Sequence, residues 1–253
     1  MKKSELERKL TELFRPNIFK DYAPNGLQVE GKQEIRKIVT GVTASMALID
    51  EAIARQADAI VVHHGYFWKG EAPEIVGMKY HRIATLIKND VNLFGYHLPM
   101  DAHLQVGNNA NLARALGLHS LRPLEVGKPL EESIGVIGEL DDEVSPELFS
   151  QRVSQVVGRE VLFENIGDQN IREVALCTGG AQGYIGKAIS AGADVFITGE
   201  VSEQTIHIAR EEGIHFCAAG HHATECFGPR ALAEYINANW DVECEFVDVP
   251  NPA

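Results

Sequence analysis

The chain has 253 residues, 45% of them hydrophobic and 23% charged, with a net charge of −13 from 23 basic and 36 acidic side chains. That length buries a sizeable core, as one large domain or two small ones, and the acidic balance weighs against a surface built for a phosphate backbone. No apolar run approaches the roughly 20 residues of a membrane span. The N-terminus MKKSELERKL turns polar too soon for a signal peptide, and four cysteines without a C-x-x-C pattern read as reduced thiols, so a cytoplasmic chain is expected.

Residues 4–14 place Leu6, Leu10, Leu13 and Phe14 at helical spacing and read as an amphipathic helix. Residues 24–31 (PNGLQVEG) read as a turn-rich loop. A strand at 37–42, a helix near 46–56 and a strand at 59–62 follow; the apolar pair Ile38-Val39 and the run Ala59-Ile60-Val61-Val62 suit strands covered on both faces. Then come a helix near 79–89, a strand at 91–96 and a helix near 108–116. The second half has strands at 134–139, 161–164 and 173–177. Its helix near 146–157 has Ser145 as N-cap and Pro146 at the first helical position, and the chain closes with a helix at 229–239 and a strand at 243–248. Residues 121–132 (LRPLEVGKPLEE) hold two prolines and a glycine and read as the linker.

Residues 38–64 align without a gap on residues 174–200. Ile49, Ala52, Ile53, Ala57 and Asp58 recur as Ile185, Ala188, Ile189, Ala193 and Asp194, and His97-x-x-x-Asp101 in the first half is echoed by His221-x-x-x-Glu225 in the second. The expected fold class is α/β: two similar domains from an internal duplication, with mainly parallel or mixed sheets flanked by helices. The expected domains are 1–125, carrying His63, His64 and Asp101, and 126–253, carrying His221 and Glu225, with a metal site between the two halves.

His63 and His64 close an apolar strand, at the sheet edge where α/β proteins collect ligands. Adjacent side chains on a strand diverge, so both reach one site only where the strand is ending, and Gly65 permits that. Either both bind metal, or one binds and the other supports it. Pro99 favours a loop over 97–101, where Asp101 is a ligand or a turn residue. His221 and Glu225 share one helical face and can grip one ion. Imidazole and carboxylate are the donors of a hydrolytic transition-metal site. Two ions about 3.5–4 Å apart would activate a water, with His97 as the proton-transferring catalytic group. His103 and His222 are placed as supporting or acid–base groups near the ligands, while His81, His119, His207 and His215 read as surface or core residues. The loop Thr178-Gly179-Gly180-Ala181-Gln182 either offers N–H groups to an anion or lets helix and strand approach closely; Glu200, aligned with His64, faces either the cleft or solvent.

With these residues in view, the chain resembles the GTP cyclohydrolase I type 2-like proteins over essentially its whole length. The motifs are PNGLQVEG (24–31), ADAIVVHHG (57–65), YHLPMDAH (96–103), GNNANLA (107–113), CTGGAQ (177–182), GADVFITGE (192–200) and AGHHATE (219–225). The resemblance implies that His63, His64, Asp101, His221 and Glu225 bind two divalent ions (zinc, iron, manganese, nickel or cobalt), with Glu225 bridging. It also implies a homo-oligomer in the form of a hexameric ring, and a metal-dependent hydrolase acting on a nucleotide or related small molecule, the named reaction being opening of the guanine imidazole ring of GTP. The alternative is a non-enzymatic metal-binding ring with a regulatory or interaction role.

Overall fold

The computed structural model describes residues 1–253. It divides into two compact units, Met1–Met100 with Gly228–Val249, and Asp101–Phe227 with Pro250–Ala253. The expected cut near residue 125 differs from this division, because the last helix and strand of the chain belong to the first sheet.

The first unit opens with α1 (Lys3–Phe14), whose Leu6, Leu10 and Phe14 are buried, with Phe14 stacked on Tyr96 at 4.6 Å between ring centroids. Then follow β1 (Gly26–Val29), β2 (Lys37–Thr43), α2 (Met46–Ala54), β3 (Ala59–His64), α3 (Gly77–Lys88) and β4 (Asn92–Gly95). Helix α4 (Leu98–Ala102) carries the chain into the second unit. A helix stands where a loop was expected around Pro99, because proline is tolerated in the first turn of a helix.

The second unit contains α5 (Asn108–Ala115), β5 (His119–Pro123), β6 (Val136–Val144), α6 (Pro146–Val157), β7 (Leu162–Glu164), β8 (Ile171–Leu176), α7 (Ile185–Ser190), β9 (Val195–Thr198), α8 (Glu203–Glu212), β10 (His215–Ala218) and α9 (His221–Glu225). Ser145 caps α6 as its sequence promised, its hydroxyl accepting from the Leu148 N–H at 3.4 Å. The chain then returns through α10 (Phe227–Asn239) to β11 (Glu243–Phe246).

The first sheet has the order β1-β4-β3-β2-β11, parallel except for β1, which runs antiparallel to β4. The loop expected over PNGLQVEG is thus partly a strand; four residues that Asn25 and Gly26 introduce are too few for a period-2 signal. Strand β11 pairs with β2, and the Thr40 hydroxyl donates to the Pro229 carbonyl at 2.8 Å, which fastens the start of α10 to the sheet. The second sheet has the order β5-β6-β8-β9-β10-β7 and is mixed. The stretch expected as a linker supplies part of β5, paired antiparallel with β6, so Pro123 closes an edge strand while Pro129 lies beyond it.

Each unit has its own core. In the first, Val39, Ile60, Val62 and Leu93 pack against Leu48, Ile49 and Leu86 of the helices. In the second, one face of the sheet packs Leu112, Phe149 and Val153, and the other packs Ile185, Ala188 and Ala209. Each fully buried aliphatic side chain contributes roughly 1.5–3 kcal/mol of transfer free energy.

The duplication reappears as a shared anchor. Asp58 accepts the N–H groups of Arg36 and Lys37 at the start of β2 (2.8 and 3.3 Å), and Asp194 accepts those of Arg172 and Glu173 at the start of β8 (2.9 and 2.8 Å). Both aspartates therefore satisfy strand-end donors at the edge away from the ligands. An open cavity of about 650 Å³ lies at that edge of the first sheet. Its Lys32, Lys37 and Arg55 are already paired with Asp58, Glu243 and Glu245, so it reads as a charge-compensated surface. No helix is long and apolar enough to cross a membrane.

Candidate metal centre

In the first unit, His63 and His64 end β3 and His97 follows β4, so neighbouring parallel strands deliver all three imidazoles to one edge. Their ligand atoms lie within 4.8 Å of one another. Each ring is tethered through Nδ1. His63 Nδ1 donates to the Tyr96 carbonyl (3.3 Å), His64 Nδ1 meets the Thr43 hydroxyl (3.2 Å) and His97 Nδ1 donates to Asp21 Oδ1 (2.7 Å). A carbonyl or carboxylate only accepts, so in neutral His63 and His97 the lone pair is on Nε2. Trp68 closes over His97 edge to face, with ring centroids 4.9 Å apart.

Asp21 was not visible in the sequence. It follows no motif and meets His97 and Leu98 across more than 70 residues. It also accepts from the Leu98 N–H (2.9 Å) and Asn25 Nδ2 (2.9 Å), while Asn25 Oδ1 receives the His97 N–H (2.8 Å). Burial opposes ionisation of Asp21, but the His97 hydrogen bond and charge, helped by Asn25 and Leu98, outweigh it and bring its pKa down to about 2.

In the second unit, α9 presents His221 and Glu225 on one face, with His221 Nε2 3.2 Å from Glu225 Oε1. Carboxylate oxygens of Asp101 and Glu225 lie within 4.8 Å of each other. Asp101 Oδ1 accepts from Asn108 Nδ2 (3.0 Å) and the Thr178 hydroxyl (3.2 Å), all three side chains being buried. His221 Nδ1 donates to Glu200 Oε1 at 2.7 Å, which turns Glu200 inward at the position the repeat aligns with His64.

The Thr178 loop serves the site by close approach. Three of its amides are committed: Thr178 N–H to Asn109 Oδ1 (2.9 Å), Gly179 N–H to the Thr224 hydroxyl (3.0 Å) and Ala181 N–H to the Thr198 hydroxyl (3.2 Å). A six-residue α7 follows, so the anion-binding reading of this loop is set aside. Gly179 has φ +70°, and a Cβ there would overlap Glu225 Oε1; one on Gly199 would lie 2.6 Å from the His221 Cα.

The other histidines divide by contact. His103 Nδ1 accepts the Gln105 and Val106 N–H groups (both 3.1 Å) and shapes a turn. His222 Nε2 faces Cys226 Sγ at 3.4 Å. His215 is a buried core residue bonded to Ile166 and Gln169. All four cysteines are buried and none is in a disulfide. Burial keeps the Cys177 and Cys217 thiols protonated and pushes Cys244 up to about 12, so they are inert packing groups.

The hydrogen bond to Glu225 raises the His221 pKa; burial opposes it, Glu200 assists, and the result is about 9. A raised folded-state pKa stabilises the fold below the unfolded value of about 6.5, and that contribution is lost as pH rises through 9. Asp21, depressed to about 2, stabilises above its unfolded value of 3.8 and is lost as pH falls through 2. Metal-stripped protein should therefore be most stable between about pH 4 and 6.5, losing roughly 1–3 kcal/mol towards pH 9. Urea midpoints measured across that range test this; a flat profile from pH 6.5 to 9 would contradict it.

A two-unit α/β protein with imidazole and carboxylate clusters at strand ends is the class so defined. The chain belongs to the Duf34/NIF3 (NGG1p interacting factor 3) family, whose model matches residues 1–252. It is 54% identical over 250 residues to the GTP cyclohydrolase 1 type 2 homolog of Pasteurella multocida, covering 98% of both chains. Among solved structures, the protein ybgI, of unknown function, superposes with a TM-score of 0.95 at 52% identity, covering 100% of both chains. TTHA1606 from Thermus thermophilus gives 0.90 at 35%, also over 100% of both. The resemblance read from the sequence and the mixed α/β fold are both borne out.

The clusters suit a divalent transition ion. Tethered Nδ1 atoms leave Nε2 as donor, two carboxylates held close together away from water call for a cation, and the bare Gly179 leaves Glu225 the space to serve one.

Proposed function

We propose that this chain is a dinuclear metal-dependent hydrolase in which His63, His64, Asp101, His221 and Glu225 would hold two divalent ions. The observation that carries the reading is the second unit's Asp101–Glu225–His221 cluster: two carboxylates within 4.8 Å and an imidazole 3.2 Å from one of them. The first unit's tethered histidines support it. Bound ions would supply Lewis acidity and acidify a water. His97, oriented by Asp21 and walled by Trp68, moves the proton through Nε2. The donor set accepts zinc, iron, manganese, nickel or cobalt.

A nucleotide or related small molecule is the proposed substrate, on the strength of the relatives' name. We further propose a hexameric ring in a reducing, cytoplasmic setting, in keeping with four buried cysteines outside any disulfide. The second reading is a non-enzymatic metal-binding ring. It is favoured by the internal hydrogen bonds of the Thr178, Gly179 and Ala181 amides, which take those three donors away from a triphosphate.

The test is incubation of metal-replete protein with GTP and a nucleotide panel, followed by product mass spectrometry. Turnover that disappears in Asp101→Ala and falls in His97→Ala, with metal content near two ions per chain in the latter, supports the enzyme. Full metal occupancy without turnover on any nucleotide favours the binding role.

A further inference from the structure

We infer that Glu200 is a positioning residue for metal binding: it holds the His221 ring in the rotation that aims Nε2 at the ion. This rests on the reading of His221 as a ligand.

The backbone of His221 is already fixed. The Thr224 hydroxyl donates to the His221 carbonyl at 2.9 Å and receives the Gly179 N–H, and Gly199 packs directly under the His221 Cα. The ring itself is not locked by packing, because the side chain is 29% exposed, whereas His63 is 1% exposed. Rotation about χ2 would exchange Nδ1 and the ring carbons and remove Nε2 from Glu225. The bond to Glu200 Oε1 at 2.7 Å opposes that rotation.

Glu200 is held in its turn. Gln182 Nε2 donates to Glu200 Oε2 at 3.2 Å. The other end of that amide, Gln182 Oε1, is buried without a hydrogen-bond partner. Flipping the amide would set its oxygen against the carboxylate, two acceptors facing each other. The orientation observed is the one that Glu200 requires. Half exposed, Glu200 has no packing role that would explain this support. In the duplicated unit, position 64 presents a donor and its mate, position 200, presents the group that orients one.

Cobalt(II) alone is the probe, added to metal-stripped full-length protein, with affinity from chelator competition and ligand geometry from the visible spectrum. Glu200→Ala should weaken one ion about 10–100-fold and alter its spectrum, as loss of a ligand's hydrogen-bond partner does. Glu200→Gln, whose amide oxygen still accepts from Nδ1, should recover most of the affinity. Gln182→Ala, which frees the carboxylate, should show a smaller loss in the same ion and guards against a folding defect in the alanine variant. Glu200→Ala binding within twofold of wild type, while His221→Ala loses the ion, overturns the inference alone. Glu200→Gln as weak as Glu200→Ala overturns positioning in favour of charge. His221→Ala binding like wild type overturns the metal reading and this inference with it.

Discussion

Replacing Glu225 with alanine should abolish the stabilisation that divalent metal confers, while costing the metal-free protein no more than the roughly 1–3 kcal/mol of its pair with His221. Glu225 is 3% exposed, with an Asp101 oxygen within 4.8 Å. Without a cation, two nearby buried carboxylates repel, and the 3.2 Å pair with His221 offsets only part of that. Truncation therefore removes both the repulsion and the His221 pair from the metal-free protein, and a donor from the loaded one. Wild type in metal at 100 times its dissociation constant gains about 2.7 kcal/mol by mass action. The variant should gain nothing measurable under the same conditions. Thermal midpoints with and without cobalt decide it, and a variant that keeps the full metal-induced shift would refute the role of Glu225.

Gly179→Ala should separate fold from metal in a different way. The positive φ of +70° costs an alanine about 1–2 kcal/mol. The new methyl would also occupy the place of Glu225 Oε1 and press on His221 Nε2, 3.2 Å away. A carboxylate at the end of a flexible side chain can swing aside, so the fold should survive with a loss of roughly 1–3 kcal/mol. The swing removes the donor, and affinity for metal should fall at least about 100-fold. Urea midpoints and chelator competition on the same sample read the two effects independently. Unchanged affinity would mean that the Glu225 position does not matter to the ion.

Much of this was legible in the residues. The 3.6-residue spacing of Leu6, Leu10 and Phe14 gave α1, and the apolar run Ala59–Val62 gave β3, because burial on both faces leaves a continuous signature. The echo of Ala57-Asp58 in Ala193-Asp194 was visible as identity, though its physical reason, one carboxylate accepting two strand-end N–H groups, appears only in three dimensions. His97, His221 and Glu225 carried spacing. Asp21, Asn25 and Thr43 carried none, since a hydrogen bond across 76 residues leaves no local period. The short α4 escaped because Pro99 reads as a breaker unless its place in the first turn is known. The Thr178 loop misled because its glycines advertise open amides, and the side chains that occupy them come from three other segments.

The return of residues 228–249 to the sheet they left at residue 100 has a consequence for the duplicated ancestry. Two tandem copies, if separable, could be excised and expressed as autonomous halves. Here no single cut leaves both intact: a fragment ending at residue 227 strips β2 of β11, one of its two parallel neighbours, and Thr40 of its acceptor. The first sheet is therefore completed by β11 only after every residue of 101–227 has been synthesised.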